Sequence, residues 1–117
     1  MAEKIIYNKL VRDKIPEIIE MSGKTCEIEI LSDEEYLQML DKKLDEELSE
    51  YHQDQNIEEL ADLLEVLYAV ANARGYSIEE LYHVRVEKKK MRGGFGKKLL
   101  LKSVIEDKNR KDRKCKR

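Results

Sequence analysis

The sequence is poor in residues on which several common kinds of site and fold depend. Its 117 residues include two cysteines, one proline, one phenylalanine and no tryptophan. Cys26 and Cys115 are too few and too far apart for a disulfide framework or a cysteine-based zinc site. A reducing, cytoplasmic compartment is therefore expected. The near absence of proline favours long, uninterrupted helices, because proline breaks helix interiors.

Long apolar runs and common catalytic motifs are also missing. The sequence has no apolar run of about 18 residues, so it predicts no transmembrane helix. The first residues, MAEKIIYNKLVRDK, carry charges every few positions and predict no signal peptide. No glycine-rich phosphate loop occurs, and His52 and His83 lack the spacing of metal ligands. The length suits one small domain.

Charge is abundant and unevenly distributed. Charged residues make up 41% of the chain, and the net charge is −2. Residues 102–117 contain eight Lys or Arg and three Asp or Glu, so this segment carries +5 and the other 101 residues carry −7. Without apolar periodicity, the segment predicts a flexible, solubilising tail rather than a nucleic-acid contact. The predicted organisation is a folded domain over residues 1–101 and a basic tail over residues 102–117.

Helix start and stop signals predict about four helices in the folded part. The signals are serine or asparagine caps, an aspartate cap beside Pro16, and glycines that end helices. In chain order they are Asp13, Gly23, Ser32, Asn56, Gly75, Ser77 and Gly93. Residues 26–31 and 97–101 also have the character of short strands. The predicted fold class is all-α, an antiparallel helical bundle that dimerisation completes, with a possible short two-stranded β element. Residues 4–14 are predicted to form an extended or irregular arm.

Two acidic pairs lie at helical spacing on either side of a short polar turn. Glu47 and Glu50 precede the turn, and Glu59 and Asp62 follow it. Residues three apart lie on neighbouring rows of one helix surface, and the pairs are symmetric about the turn. An antiparallel hairpin would place Glu50 level with Glu59, and Glu47 level with Asp62. Glu46 points to the opposite side of its helix and is expected to be solvated.

The helix with the second pair is apolar on nearly every side, as LADLLEVLYAVA over residues 60–71 shows. Such a helix is usually buried, and ionised carboxylates buried with it must be paired, hydrogen-bonded or bound to metal. Carboxylates favour Mg²⁺ over zinc. Two alternatives stay open from spacing alone. Acidic pairs are common on solvated helix faces, and Glu59 could instead bond back to the helix cap at Asn56.

Two groups of polar and cationic side chains are candidate ligand contacts: the first could touch a phosphate or a base, and the second could grip a polyphosphate. The first lies in the amino-terminal segment and consists of Asn8, Lys9, Arg12 and Lys14. The second lies on the last long helix, where Arg85, Lys88 and Arg92 share one row. Each group has an alternative interpretation, since solvated charge is common and a helix dipole favours cations near the carboxyl end.

Three blocks occur in a characteristic order: YNKLVRDKIPEII, then KLDEELSE followed by EELADLLEVLYAVA, then KKKMRGGF. Together they resemble the small phosphoribosyl-ATP pyrophosphohydrolase-like proteins within the all-α, MazG-like nucleoside triphosphate pyrophosphatases, over about residues 5–101. The resemblance implies Mg²⁺-dependent hydrolysis of the α–β phosphoanhydride of a nucleotide, with Mn²⁺ as a substitute. One departure is that only eight residues separate Glu50 from Glu59, fewer than in the longer-armed MazG proteins.

The resemblance also implies roles for individual residues. It assigns metal binding to Glu47, Glu50, Glu59 and Asp62, and phosphate contacts to Lys88 or Lys89 and Arg92. On mechanistic grounds Glu47 or Glu50 could act as the base for the attacking water. Asn8, Lys9 and Arg12 are candidate substrate contacts because of their donor groups. The implied partners are a nucleotide and a second copy of the chain, since 117 residues cannot easily cover so apolar a hairpin. Two rival functions are the phosphoribosyl-ATP enzyme of histidine synthesis and a non-enzymatic helical module with salt-bridged acids.

Overall fold

The computed structural model describes residues 3–107 of the chain. These residues form four helices and no strand: α1 Ile15–Met21, α2 Asp33–Asp54, α3 Ile57–Ala73 and α4 Ile78–Arg92. The predicted all-α class is therefore confirmed. The chain divides between Val84 and Arg85 into two compact units. The part of the predicted tail after residue 107, including Cys115, lies outside the described residues.

A hairpin of α2 and α3 forms the centre of the first unit, and local hydrogen bonds set its ends. Ser32 caps α2, because its Oγ accepts a hydrogen bond from the Glu35 backbone N–H at 3.2 Å. Asn56 caps α3 in the same way, with its Oδ1 accepting from the Glu59 N–H at 2.9 Å. Between the helices Gln55 adopts a left-handed conformation, with φ 51° and ψ 35°. This tight turn folds α3 back onto α2.

The core of the hairpin is small. Leu40 of α2 and two residues of α3, Val66 and Ala71, are buried. The face of α3 formed by Leu60, Leu64 and Leu67 keeps 48%, 46% and 42% of its surface exposed. The prediction of a helix buried on nearly every side is therefore wrong for the single chain, because α2 covers one side of α3.

The amino-terminal arm leads into α1 and has no regular secondary structure, as predicted. The predicted cap at Asp13 is wrong by one residue, since Lys14 is the N-cap of α1 and forms no side-chain cap. A turn explains the shift, because the Ile15 N–H already bonds to the Arg12 carbonyl at 3.0 Å. Gly23 follows α1 with a φ of 89°, a conformation that glycine adopts readily.

Neither predicted strand forms in the part of the chain that the structure describes. In residues 26–31 the alternation would give one apolar face, but Ile28 and Ile30 are 67% and 94% exposed. In residues 97–101 the φ of Lys98 is 60°, which interrupts an extended chain. Alternating apolar and polar residues indicate a propensity for a strand, whereas a stable sheet needs paired strands and a covered apolar face. The predicted two-stranded element is therefore wrong.

Among the described residues, the second unit contains the last turns of α4 and residues 93–107, which have no regular secondary structure. The helix ends at Arg92, and Gly93 follows with a φ of 83°. Residues 92–99 line an open groove within this unit. Across residues 3–107, no helix combines the length and the apolar character needed to cross a membrane.

Candidate metal centre

Five acidic side chains converge on the α2–α3 hairpin in two overlapping groups. Carboxylate oxygens of Glu46, Glu47 and Glu50 lie within 4.8 Å of one another. Oxygens of Glu47, Glu59 and Asp62 form a second group of the same size. We call these five residues the acidic cluster. It contains all four carboxylates that the sequence analysis selected, and Glu47 belongs to both groups.

Glu46 is the member that sequence reasoning missed. Its side chain is 28% exposed, and its Oε1 lies 3.1 Å from Lys9 Nζ and 3.3 Å from Lys43 Nζ. The expectation of a solvated Glu46 is wrong, because the adjacent arm brings a cation to this side of α2. Glu46 and Glu50 are four residues apart, a spacing that places two side chains on one helix face. That spacing could have indicated that Glu46 lies near Glu50 in the acidic cluster.

Glu47 is the one charged residue that is buried within residues 3–107, and its side chain is 8% exposed. Its Oε1 lies 3.3 Å from Lys43 Nζ, whereas its Oε2 is buried without a hydrogen-bond partner. Burial, and secondly the neighbouring Glu50 carboxyl, raise the pKa of Glu47. A buried, unpartnered carboxylate oxygen is unfavourable unless a proton or a cation satisfies it.

The orientation of Glu59 decides between a role in the helix cap and a place in the acidic cluster. In the caps of α2 and α4, the side chains of Glu35 and Glu80 accept the serine backbone N–H at 3.4 Å and 3.2 Å. At Asn56 the corresponding bond is missing among the described contacts, and Glu59 Oε2 is buried without a partner. Partial burial, followed by the charge of Asp62, raises the pKa of Glu59. The Glu59 carboxylate thus belongs to the acidic cluster.

The amino-terminal arm pairs two cations with the acidic cluster. Arg12 Nη2 donates a hydrogen bond to Asp62 Oδ1 at 2.6 Å, and Lys9 Nζ donates to Glu46 Oε1 at 3.1 Å. Partial burial by itself would raise the pKa of Glu46, but the hydrogen bonds and charges of Lys9 and Lys43 outweigh it and lower this pKa. The same bond to Glu46 raises the pKa of Lys9. Two predicted phosphate donors are therefore bound to acids.

The remaining predicted substrate contacts are not part of the acidic cluster. Asn8 is exposed in the arm, with a φ of 48°. Lys88, Lys89 and Arg92 are exposed on the last turns of α4 and belong to the second unit, whereas the carboxylates belong to the first. Arg92 also lines the groove of residues 92–99. The phosphate-binding role of these α4 cations stays a prediction.

The donor set of the acidic cluster fits a hard divalent cation. All its potential ligands are carboxylate oxygens, the type that Mg²⁺ prefers, and it contains no thiolate or imidazole. Two of these oxygens, Glu47 Oε2 and Glu59 Oε2, are buried and have no hydrogen-bond partner. Glu47, Glu59 and Asp62 are therefore the residues best placed to hold such an ion, with Glu50 beside them.

Comparison with known proteins gives a partial match. No family model and no solved structure matches the chain. An uncharacterized protein of Mycolicibacterium smegmatis is 60% identical to the chain over 42 residues. The matching segment covers 36% of this chain and 43% of that protein, so the chain spans less than half of its relative.

Proposed function

We propose that the protein is a Mg²⁺-dependent nucleotide pyrophosphohydrolase of the phosphoribosyl-ATP pyrophosphohydrolase-like, MazG-like type, acting as a cytoplasmic house-cleaning enzyme. It would cleave the α–β phosphoanhydride of a nucleoside triphosphate to give a monophosphate and pyrophosphate. One observation carries the proposal. The buried Glu47 has an unpartnered oxygen and lies in a carboxylate group with Glu59 and Asp62.

The carboxylates divide the chemical tasks between them. Glu47, Glu50, Glu59 and Asp62 would hold Mg²⁺, or Mn²⁺ in its place. The ion would neutralise charge on the phosphates, which is the main requirement of phosphoryl transfer. Glu47 or Glu50 would take the proton of the attacking water.

Cations of the chain would neutralise the charge of the leaving pyrophosphate. Lys88, Lys89 and Arg92 present three positive charges close together on the end of α4, where the helix dipole favours cations. Asn8, Lys9 and Arg12 would add donors from the arm. Arginine can bind a phosphate with two parallel hydrogen bonds, whereas lysine acts as a point charge.

Product analysis tests the reaction. The purified chain is incubated with a panel of nucleoside triphosphates and phosphoribosyl-ATP, with Mg²⁺ or with EDTA. Pyrophosphate and orthophosphate are assayed separately. We expect Mg²⁺-dependent release of pyrophosphate, reduced by about a hundredfold or more in Glu47→Gln, a loss typical of removing a catalytic acid or base. Release should also be lost in Asp62→Asn, which removes a metal ligand. The panel also separates a house-cleaning enzyme from a phosphoribosyl-ATP hydrolase.

A matched control is Glu65→Gln, which removes an exposed carboxylate of α3 outside the acidic cluster. This variant should keep the full rate. If no nucleotide of the panel releases pyrophosphate, the enzyme proposal is wrong. An equal loss of rate in all three variants would also count against it, because the effect would then not be specific to the acidic cluster.

A second candidate, a non-enzymatic helical module, is favoured by the ion pairs. Lys9, Lys43 and Arg12 each lie within 3.3 Å of an acid of the cluster, so these side chains offset part of its charge without metal. Thermal unfolding separates the two candidates. A ligand at a hundred times its Kd stabilises a folded protein by about 2.7 kcal/mol. In the second candidate, Mg²⁺ would leave the unfolding temperature unchanged.

A homodimer is part of the proposal. The exposed face of Leu60, Leu64 and Leu67 supports it, because leucines at this spacing form one apolar stripe along α3. A second copy of the chain, packing the same face against it, would bury this stripe and complete a larger bundle. Sedimentation at several protein concentrations tests the dimer.

A further inference from the structure

We propose that the amino-terminal arm is a metal-released latch, in which Arg12 holds the position on Asp62 that a divalent cation needs. The inference rests on the metal site of the proposed function. Arg12 Nη2 binds Asp62 Oδ1 at 2.6 Å, and Asp62 also contributes a carboxylate oxygen to the group with Glu47 and Glu59. A guanidinium and a divalent cation therefore compete for one carboxylate.

Ion pairs and not backbone pairing join the arm to the hairpin, and of its apolar side chains within residues 3–11 only Leu10 is partly buried. For residues 3–11, no backbone hydrogen bond joins the arm to the helices. Its apolar side chains Ile5, Ile6 and Tyr7 are mostly exposed. Two ion pairs join the arm to the hairpin, Lys9 with Glu46 and Arg12 with Asp62, and both end on the acidic cluster.

A latch of this kind must be weak enough for an ion to open it. The side chains of Arg12 and Asp62 are both partly exposed, so water screens their attraction. A screened ion pair of this kind changes the equilibrium between the bound and the released arm by up to about fivefold. A cation bound by several carboxylates exceeds that attraction, and its positive charge repels the neighbouring guanidinium. Metal binding would thus free Arg12 and then Lys9.

Limited trypsin digestion, with each product identified by mass spectrometry, reports directly on the latch. Trypsin cleaves after a free lysine or arginine side chain, so a paired Arg12 or Lys9 is cut slowly. We expect Mg²⁺ to accelerate cleavage after Arg12 by up to about fivefold relative to cleavage after Lys4. Lys4 is the internal reference, because it pairs with Glu27 and not with the acidic cluster. NaCl at equal ionic strength should have a smaller effect.

The affinity of the chain for Mg²⁺, measured by calorimetry without nucleotide, gives a second test. Arg12→Gln removes the competing cation and should tighten Mg²⁺ binding by up to about fivefold. Lys4→Gln, which removes an arm cation that pairs with Glu27 outside the acidic cluster, should leave the affinity unchanged. If Arg12→Gln does not fold, Asp62→Asn provides the test, since it should speed trypsin cleavage after Arg12 with no metal present.

The results separate this inference from the proposed function. Equal Mg²⁺ affinity in wild type and Arg12→Gln, or a rate of cleavage after Arg12 that bound Mg²⁺ does not change, would overturn the latch even if pyrophosphate is released. Opening of the arm by Mg²⁺ without pyrophosphate release from any nucleotide would support the latch and overturn the enzyme. Absence of Mg²⁺ binding would overturn both.

Discussion

Glu47 carries much of the electrostatic cost of the acidic cluster. It is buried, one of its oxygens has no donor, and Glu50 lies beside it. Natural sites often hold groups that lower the stability of the folded chain in return for function. Glu47 has the properties of such a group. Neutralising it should therefore raise the stability of the metal-free chain and weaken metal binding.

Stability as a function of pH tests this property of Glu47. Its pKa is raised above 4.5, so the folded chain holds this proton more tightly than the unfolded chain. The stabilisation from the proton is fully present below pH 4.5 and is lost as the pH rises through the raised pKa. In EDTA at pH 7, we expect Glu47→Gln to be about 1 kcal/mol more stable than wild type.

Thermal unfolding at several pH values measures the difference. The advantage of Glu47→Gln should shrink toward pH 4, where wild-type Glu47 is also neutral. Added Mg²⁺ should reverse the order, because wild type gains binding energy that the variant lacks. Glu65→Gln should follow wild type throughout. A variant that is less stable than wild type in EDTA at pH 7 would contradict the assignment of Glu47 as a destabilising group.

At the scale of elements, the α2–α3 hairpin has one unfavourable residue in its turn. Gln55 has a φ of 51°, which costs a residue with a Cβ roughly 1–2 kcal/mol, whereas glycine adopts it freely. After allowance for the greater entropy of glycine in the unfolded chain, Gln55→Gly should stabilise the protein by about 0.5–1 kcal/mol. Denaturant unfolding measures the change.

Gln53→Gly is the matched control for the turn. Gln53 lies in the last helical turn of α2, where glycine should instead destabilise by about 1 kcal/mol. A stabilising change at Gln55 and a destabilising change at Gln53 would support the explanation that the backbone conformation of Gln55 is unfavourable. A loss of stability in both variants would show that the Gln55 side chain has a contact that its conformation does not indicate.

The helices were predictable because their determinants are local. The caps at Ser32, Asn56 and Ser77 each fix a helix start through groups three residues apart, and the glycines after the helices have positive φ values. The mirrored spacing of the acids, combined with a short turn, also predicted that the carboxylates of α2 and α3 would meet. Their role as metal ligands remains a proposal.

What the sequence did not reveal depends on contacts between distant segments. The arm has no periodicity, so nothing in its spacing indicated that Arg12 would bind Asp62, which lies 50 residues later. The ion pair that places Glu46 in the acidic cluster also involves the arm, through Lys9. The predicted strands failed for a related reason, since a strand forms only where a partner is present. Local sequence patterns therefore predicted the helices. The position of the arm depends on ion pairs between distant residues, which local patterns do not indicate.

At the scale of the whole molecule, many large apolar side chains of the described residues are exposed. Leu64 lies at the centre of the exposed α3 stripe, between Leu60 and Leu67. Leu64→Glu would place a charge inside the proposed dimer interface, where a desolvated and unpaired carboxylate is strongly unfavourable. We expect this variant to sediment as a monomer at concentrations where wild type is a dimer.

Glu65→Lys is the control for the dimer, because it changes the charge of an exposed residue next to the stripe. It should retain the wild-type oligomeric state. If Leu64→Glu leaves the sedimentation coefficient unchanged while the protein stays folded, the α3 stripe is not the interface. A wild type that is monomeric at all concentrations would overturn the dimer itself.

Glu47 belongs to both carboxylate groups, and this sharing makes the two groups one linked system. A proton or an ion taken up by one group changes the charge that the other can offer, and the effect is equal in both directions. Metal and proton titrations of the protein should therefore show cooperativity, positive or negative, rather than the sum of two independent sites.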